Sequence, residues 1–169
     1  MEFYEELYPK DVWRDAAYDI FDRFSLKGKK ALVTGASGGI GRNAAAVFAQ
    51  AGADVMMADI ERTRATLDPL AQEIAERFGT TVVPAYCDVS DEAQVNAMGE
   101  QLEAQLGTVD VAFLNAGVVL PGDDYDSSFD TWKKTIDIDL NGMFLCGQLA
   151  QKMMRRHGHG GSIIMTSSI

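Results

Sequence analysis

A glycine-rich segment that joins a short apolar run to an alanine-rich run constrains the fold of this chain more than any other feature. The apolar run is 31–33, the segment at 34–41 reads TGASGGIG, and the alanine-rich run follows it. A strand, a tight turn and a helix start bring unpaired backbone N–H groups and the positive end of the helix dipole together. Such a place binds phosphate, and glycine there permits positive φ and close approach of backbone to a pyrophosphate. A flexible surface turn is the alternative that the glycines alone leave open.

An acidic residue after the next apolar run favours the nucleotide interpretation. Asp59 ends the run 54–59 and lies 18 residues after Gly41 (59 minus 41). Dinucleotide-binding folds place a carboxylate about 20 residues beyond the glycines, where it accepts hydrogen bonds from the ribose. The spacing therefore predicts a dinucleotide site.

Apolar runs alternate with helix-forming segments from residue 28 to the last residue. The pattern predicts strands at 31–34, 54–59, 81–87, 109–115 and 162–166, and helices at 39–50 and 64–78, from a Ser90 cap to Leu106, and from a Ser128 cap to Arg156. Short apolar strands alternating with helices indicate an α/β fold, a three-layer doubly wound parallel sheet of the Rossmann type. The sequence ends after the fifth strand, and every motif lies at the carboxyl end of a strand, where such folds bind ligands.

Composition narrows the class of protein. The chain has 169 residues, enough for one domain, and a net charge of −10, which argues against nucleic acid and anionic membranes as partners. Cys87 and Cys146 each lie in an apolar run, so we expect buried free thiols, with no metal site and no disulfide. The acidic N-terminus does not resemble a signal peptide, and no apolar stretch is long enough to span a bilayer. We expect a cytoplasmic protein.

Residues 1–27 differ from the rest of the chain. Aromatic and aliphatic residues recur there at steps of three and four among charged positions, interrupted by Pro9. This spacing predicts an amphipathic helical extension with an aromatic face. Two roles are open: a clamp packed on the main domain or on a neighbouring subunit, and a partner-binding segment or lid.

From Leu26 to Ile169 the chain resembles the short-chain dehydrogenase/reductase family, specifically its N-terminal, cofactor-binding portion. The resemblance depends on several motifs in order: TGASGGIG at 34–41, Asp59-Ile60, Asp88-Val89 and Asn115-Ala116-Gly117, where the family has Asn-Asn-Ala-Gly and this chain begins with Leu114. It implies that the cofactor is contacted by Gly35, Ser37, Gly39, Ile40, Gly41, Asp59, Ile60, Asp88, Val89, Asn115, Ala116 and Gly117. In the family the residue matching Asp88 receives the adenine amino group, and backbone at Val89 covers the ring.

The resemblance also implies a catalytic set of Ser, Tyr and Lys, aided by an Asn on the long helix. It assigns the catalytic serine to Ser168, with Ser167 as the alternative if the register differs by one. The family's helix Asn aligns with Asp139, and no tyrosine of this chain has a lysine four residues later. The sequence therefore contains the cofactor-binding half of such an enzyme and lacks its Tyr-x-x-x-Lys pair.

The cofactor expected from these residues is NAD. A carboxylate at Asp59 binds ribose hydroxyls and repels a 2′-phosphate. NADP-preferring family members usually carry a basic residue where this chain has Ile60 or Gly38. Arg62 and Arg64 lie nearby, which leaves NADP open.

Together these observations predict an NAD(P)-dependent oxidoreductase that transfers hydride between nicotinamide and a secondary alcohol or ketone. Asp123, Asp124 and Tyr125 near the expected cleft suggest a hydroxylated substrate such as a polyol or sugar, with a steroid or acyl thioester still open. The alternatives are a non-catalytic NAD-binding module and a structural fragment that needs a complementing chain. We expect a homo-oligomer, a dimer or tetramer. If the chain is a fragment, its long helix (the predicted helix that ends at Arg156) should lose a covering partner and expose apolar residues such as Leu145, Leu149 and Met153, which favours association.

Overall fold

The computed structural model describes residues 20–121, 124 and 126–167. Five strands alternate with helices, after a 3₁₀ turn at Ile20–Phe24. The elements are β1 (Lys30–Thr34), α1 (Gly39–Gln50), β2 (Asp54–Asp59), a 3₁₀ turn (Glu61–Thr63), α2 (Arg64–Phe78), β3 (Val82–Tyr86), α3 (Glu92–Leu106), β4 (Val111–Leu114), α4 (Phe129–Ile136), a π-helical turn (Asp137–Gly142), α5 (Met143–Arg156) and β5 (Ser162–Met165).

The five strands form one parallel sheet in the order β3-β2-β1-β4-β5. The central strand β1 pairs with β2 on one side and β4 on the other, so that Val33 lies opposite Met57 and Phe113. The chain therefore reverses direction across the sheet between β1 and β4. In doubly wound folds ligands bind at this switch point, outside the carboxyl ends of the strands.

Alternate residues of the strands feed two apolar cores, one on each face of the sheet. Leu32 and Met56 pack with residues of α3 and α5 on one face, and Val33 and Met57 pack with residues of α1 and α2 on the other. A sheet buried on both faces requires apolar residues at nearly every position, which the strand sequences provide. The three-layer Rossmann architecture predicted from the sequence is confirmed.

Two helix starts test the predicted caps. Ser128 caps α4, because its hydroxyl accepts a hydrogen bond from the Thr131 N–H at 3.1 Å. The predicted Ser90 cap is wrong: Asp91 caps α3 and accepts from two N–H groups, those of Ala93 and Gln94. Ser90 instead donates its hydroxyl to Asp88. A carboxylate is the stronger acceptor for helix N–H groups, which explains the outcome.

The long helix, which consists of α4, the π-helical turn and α5, does not expose the residues that the sequence suggested. Met153 is 1% exposed in the core, and Leu145 and Leu149 are half-buried against it. Four other large apolar side chains of the same helix are exposed instead: Phe129, Trp132, Leu140 and Phe144, at 55–74%. The prediction that Leu145, Leu149 and Met153 are exposed is therefore wrong, because these residues pack on the core; the exposed apolar side chains of the helix are different ones.

Several predicted features lie outside the described residues, among them most of the N-terminal extension (1–19), Ser168, Asp123 and Tyr125. Of that extension the structure describes a five-residue 3₁₀ turn, and Leu26, which packs against the core, follows it.

Both cysteines are free and buried as predicted, and burial raises the pKa of each thiol to about 12. Over the described ranges, no helix is long and apolar enough to cross a membrane. The same residues contain no cluster of three or more metal-ligating side chains.

Candidate functional site

The turn after β1 can be formed only by glycine at two positions. Gly35 has φ of 64°, and a Cβ there would lie 2.9 Å from the Ala116 Cα. A Cβ on Gly41 would lie 2.2 Å from the Gly35 carbonyl oxygen. A side chain at position 35 would therefore push the turn away from the loop after β4. A side chain at position 41 would push α1 away from the turn. The glycines hold the turn tightly against the carboxyl edge of the sheet.

The start of α1 is open and free of acidic groups. Its cap residue is Gly38, no side chain caps it, and its first turn contains no acid. A Cβ built on Gly39 meets no atom within 4 Å, and Ile40 is 65% exposed. The helix start therefore has open space beside Gly39 and no acidic side chain in its own first turn. An anionic phosphate fits there, and a side chain at Gly39 would fill the same space.

Asp59 at the end of β2 binds the glycine turn directly. Its Oδ2 accepts hydrogen bonds from the Ser37 N–H at 2.9 Å and the Ser37 hydroxyl at 2.6 Å. Its Oδ1 accepts from the Ile60 N–H at 2.8 Å. The carboxylate is therefore oriented by three donors at the rim of the turn. A carboxylate has about four acceptor positions, so capacity remains for a ligand hydroxyl.

Thr34, the first residue of the TGASGGIG motif, connects the glycine turn to the loop after β4. Its side chain is buried, and its Oγ1 accepts from the N–H groups of Asn115 at 3.0 Å and Ala116 at 3.1 Å. The Asn115 side-chain oxygen in turn accepts from the Thr166 hydroxyl at 3.4 Å, beyond β5. These bonds hold Asn115, Ala116 and the glycine turn together across three strands.

Asp88 and Val89 follow β3 at the same edge. Asp88 Oδ1 accepts from the Ser90 N–H at 3.0 Å and its hydroxyl at 2.6 Å, so this side chain organises its own turn. Val89 is buried, and a Cβ on Gly142 would lie 2.6 Å from its Cγ2. The backbone at Val89 is thereby held against the π-helical turn.

Asp139 lies on that π-helical turn and supports the loop after β4. Its Oδ1 accepts from the Val118 N–H at 2.9 Å, and a Cβ on Gly117 would approach the same atom at 3.4 Å. Asn141 points elsewhere and binds Asp137 at the exposed surface. Of these two residues, Asp139 is therefore the one that contacts the loop after β4, with a carboxylate where the family resemblance leads us to expect an amide.

The basic residues beyond β2 differ in their availability. Arg64 binds Glu61 through two hydrogen bonds of 2.7 and 2.9 Å, and its guanidinium carbon lies 3.7 Å from the centre of the Tyr86 ring. Burial and a hydrogen bond to Asp68 raise the pKa of Tyr86 to about 12. Arg64 is therefore committed to its own surroundings. Arg62 is exposed on the 3₁₀ turn.

The structure thus brings the predicted cofactor residues to one edge of the sheet. They form two groups, the glycine turn with Asp59 and Ile60, and the loop at Asn115–Gly117, joined through Thr34. Asp88 and Val89 follow β3, whose neighbour β2 ends in Asp59, and the Cys87 N–H donates to the Asp59 carbonyl at 2.8 Å. The alternative serine, Ser167, is exposed just beyond β5, whereas Ser168 lies outside the described residues.

A doubly wound parallel sheet with an open, glycine-lined helix start and a carboxylate after the second strand defines a protein of the dinucleotide-binding class. Comparison with known sequences specifies the family. The sequence profile of the short chain dehydrogenase family matches residues 29–169. This chain belongs to the short-chain dehydrogenase/reductase family.

Individual relatives agree with this assignment. A sorbose reductase of Candida albicans is 39% identical over 153 residues, which are 89% of this chain and 53% of that protein. A probable NADP-dependent mannitol dehydrogenase of Yarrowia lipolytica is 36% identical over 154 residues, 89% of this chain and 54% of that protein. A crystal structure of a short-chain type dehydrogenase/reductase from Mycobacterium marinum superposes with a TM-score of 0.83 at 39% identity, covering 89% of this chain and 60% of that one. The chain therefore spans about half the length of the curated relatives it matches.

Proposed function

We propose that the described edge of the sheet binds a nicotinamide dinucleotide and forms the cofactor half of an alcohol or ketone oxidoreductase. The observation that carries this proposal is the contact of Ser37 with Asp59, which places a carboxylate at the rim of an uncharged phosphate cradle. A ligand with a pyrophosphate and a ribose two or three bonds away matches both features. Family membership and the relatives named above support the same ligand class.

In this proposal the bound cofactor supplies or accepts the hydride, and the chain positions it. The N–H groups at Gly39 and Ile40 hold the pyrophosphate, and Asp59 accepts hydrogen bonds from the adenosine ribose. Asp88 and the backbone of Val89 receive the adenine. The small residues Ala116 and Gly117 let the nicotinamide half approach the loop after β4. Asp139 fixes that loop through Val118.

The substrate that we propose is a sugar or polyol. Two relatives are named for substrates of this class: one is a sorbose reductase and the other a probable mannitol dehydrogenase. The chain as given contains no Tyr-x-x-x-Lys pair, so we propose that it does not turn over alone. The test is NADH or NADPH consumption at 340 nm with sorbose, with nucleotide binding measured in parallel. Turnover of sorbose by this chain would support the proposed substrate class and contradict the proposed inactivity, whereas nucleotide binding without turnover supports the inactivity.

For the cofactor we propose NAD. The Asp59 carboxylate would lie next to a 2′-phosphate and repel it, and Arg64 is engaged by Glu61 rather than free to compensate. NADP is the second candidate, favoured by the Yarrowia relative, by exposed Arg62, and by Arg42, which donates to the Ser37 carbonyl. The two candidates differ in one interaction, the charge at Asp59.

Isothermal titration with NAD⁺, NADH, NADP⁺ and NADPH tests both levels of this proposal. Binding of any of the four supports the dinucleotide site, and no binding by folded protein rejects it. Tighter binding of NAD(H) supports the cofactor preference. Asp59→Asn should then improve NADP(H) binding relative to NAD(H) by about tenfold, the effect of removing one charge repulsion of roughly 1.4 kcal/mol. Asp130→Asn, an exposed carboxylate on α4, is the matched control.

We also propose that the exposed stripe of the long helix binds a second copy of the chain. A two-fold contact requires a self-complementary surface. With the axis near Ile136, Phe129 of one copy would face Phe144 of the other, and Trp132 would face Leu140. The four side chains are 55–74% exposed, and large exposed apolar patches mark interaction surfaces.

A further inference from the structure

A groove between α1 and α2 has Arg42, beside the glycine turn, and Gln50, the last residue of α1, in its lining. It has a volume of about 270 Å³, and its wall contains the apolar side chains Ala46, Leu70, Ile74 and Phe78. These side chains belong to, or pack against, the apolar core on that face of the sheet. The wall of the groove is therefore a part of this core that reaches the surface. A further apolar segment could pack against it there.

The charged groups of the groove favour an acidic occupant. Arg42 and Arg77 contribute two positive charges to the lining, and Glu73 contributes one negative charge. Arg77 and Glu73 are exposed, so an occupant would pass within reach of both. Val47, beside Ala46 on α1, is 59% exposed and extends the apolar surface beyond the groove.

The described chain approaches the groove from its N-terminal side. The Leu26 N–H donates to the Ala51 carbonyl at 2.8 Å, immediately after the last residue of α1, Gln50, which lines the groove. Leu26 packs on the same core as the groove wall, and Phe24, two residues earlier, is 71% exposed. The described chain therefore passes the C-terminal end of α1 at Leu26, six residues after Ile20, where residues 1–19 join it.

The sequence of residues 1–19 matches the groove in charge and in apolar content. It contains six acidic and two basic residues, a net charge of −4, together with five aromatic residues. Even at the helical rise of about 1.5 Å per residue, 19 residues span roughly 28 Å, more than the roughly 18 Å length of α1. The segment is long enough to follow the whole groove.

We propose that residues 1–19 of the same chain occupy the groove between α1 and α2, with their aromatic face on its apolar wall and their acids near Arg42 and Arg77. The test of this docking does not require nucleotide binding, but Arg42 belongs both to the groove and to the surroundings of the glycine turn. Docking in the groove gives the N-terminal extension the role of a clamp that pins α1, whose other end forms the phosphate cradle, to α2.

Tryptophan fluorescence tests the proposal in the full-length chain. The chain has two tryptophans, Trp13 in the segment and Trp132 on α4, so Trp132→Phe leaves Trp13 as the only emitter. In this variant we expect Trp13 to be blue-shifted and quenched by acrylamide several-fold less than free N-acetyltryptophanamide. Adding Val47→Glu and Arg77→Glu should lower the ratio of docked to undocked segment by about fivefold. Arg155→Glu, at the far end of α5, is the matched charge reversal and should leave the quenching unchanged.

Three results would overturn the proposal. Trp13 that is quenched as readily as the free amide shows that the segment is not docked. Trp13 that is shielded equally in the groove variants shows that it is docked elsewhere. Shielding that is lost on dilution, with a change in sedimentation coefficient, assigns the segment to the groove of a second copy. Trypsin cleavage after Arg14, faster in the groove variants than in Arg155→Glu, is the expected independent result.

Discussion

Replacing Gly39 by alanine should separate the stability of the fold from the binding of a phosphate. Gly39 is the first residue of α1, its φ is not positive, and an added Cβ meets no atom within 4 Å. Alanine therefore fits the unliganded protein without strain. The methyl group would, however, fill the space in which we place the pyrophosphate.

The two effects have opposite signs. Gly→Ala at a compatible position stabilises a protein by about 0.4–1 kcal/mol, because the unfolded chain loses freedom. In a chain of this size that is a rise in Tm of roughly 1–4 °C. Inserting a methyl group into a closely packed contact costs about 1–3 kcal/mol, which corresponds to roughly a 5- to 150-fold rise in Kd for the dinucleotide.

Thermal unfolding and isothermal titration measure both quantities on one sample. Gly160→Ala is the matched control, because its Cβ also meets no atom within 4 Å and its φ is not positive, but it lies near the start of β5. We expect that control to bind the dinucleotide like the unmodified chain. A Gly39→Ala protein that melts higher and binds NAD(H) equally well would refute the phosphate cradle.

Three further predictions address association, packing and thiol chemistry. Trp132→Glu should reduce a dimer or tetramer to monomer in sedimentation velocity, and a monomeric unmodified chain would contradict the proposed helix contact. Gly142→Ala should lower the free energy of unfolding by about 1–3 kcal/mol, because its Cβ would lie 2.6 Å from Val89 Cγ2; an unchanged thermal midpoint would contradict this packing. A disulfide reagent at pH 8 should react with Cys87 and Cys146 only on unfolding, since pKa values of about 12 leave almost no thiolate, and fast native labelling would show them accessible.

The elements that the sequence predicts best are those with local signals at both ends. The bounds of α1 and α2 match the predicted helices, and Gly79 ends α2 with φ of 68°. The parallel sheet followed from apolar strands alternating with helices, and it is confirmed. Local composition was sufficient here because each helix begins or ends at a residue type that favours that position.

The ends of strands and the caps of helices depend on which of several nearby acceptors a backbone N–H binds. The sequence alone does not show which acceptor is chosen. The predicted fourth strand, 109–115, is reduced to Val111–Leu114, and at its carboxyl end the Asn115 N–H binds the Thr34 hydroxyl rather than a neighbouring carbonyl. Ser90 and Asp91 are adjacent residues that both cap helices well, and only the fold shows that the hydroxyl serves Asp88. Neither of these hydrogen bonds can be predicted from the spacing of apolar residues.

The candidate site shows the same division between local and distant determinants. The glycine turn and Asp59 were predicted from spacing within 26 residues (34 to 59). The loop after β4 is instead held between the Thr34 hydroxyl, bonded to residues 81 and 82 positions away, and the Asp139 carboxylate, 21 positions from Val118. Because sheet order places β4 beside β1, a buried threonine that reads as the last residue of a strand becomes the link between the two halves of the site. The position of this loop is therefore a property of the assembled sheet, and because a Cβ on Gly35 would lie 2.9 Å from the Ala116 Cα, a change that moves β4 relative to β1 disturbs the loop and the glycine turn together.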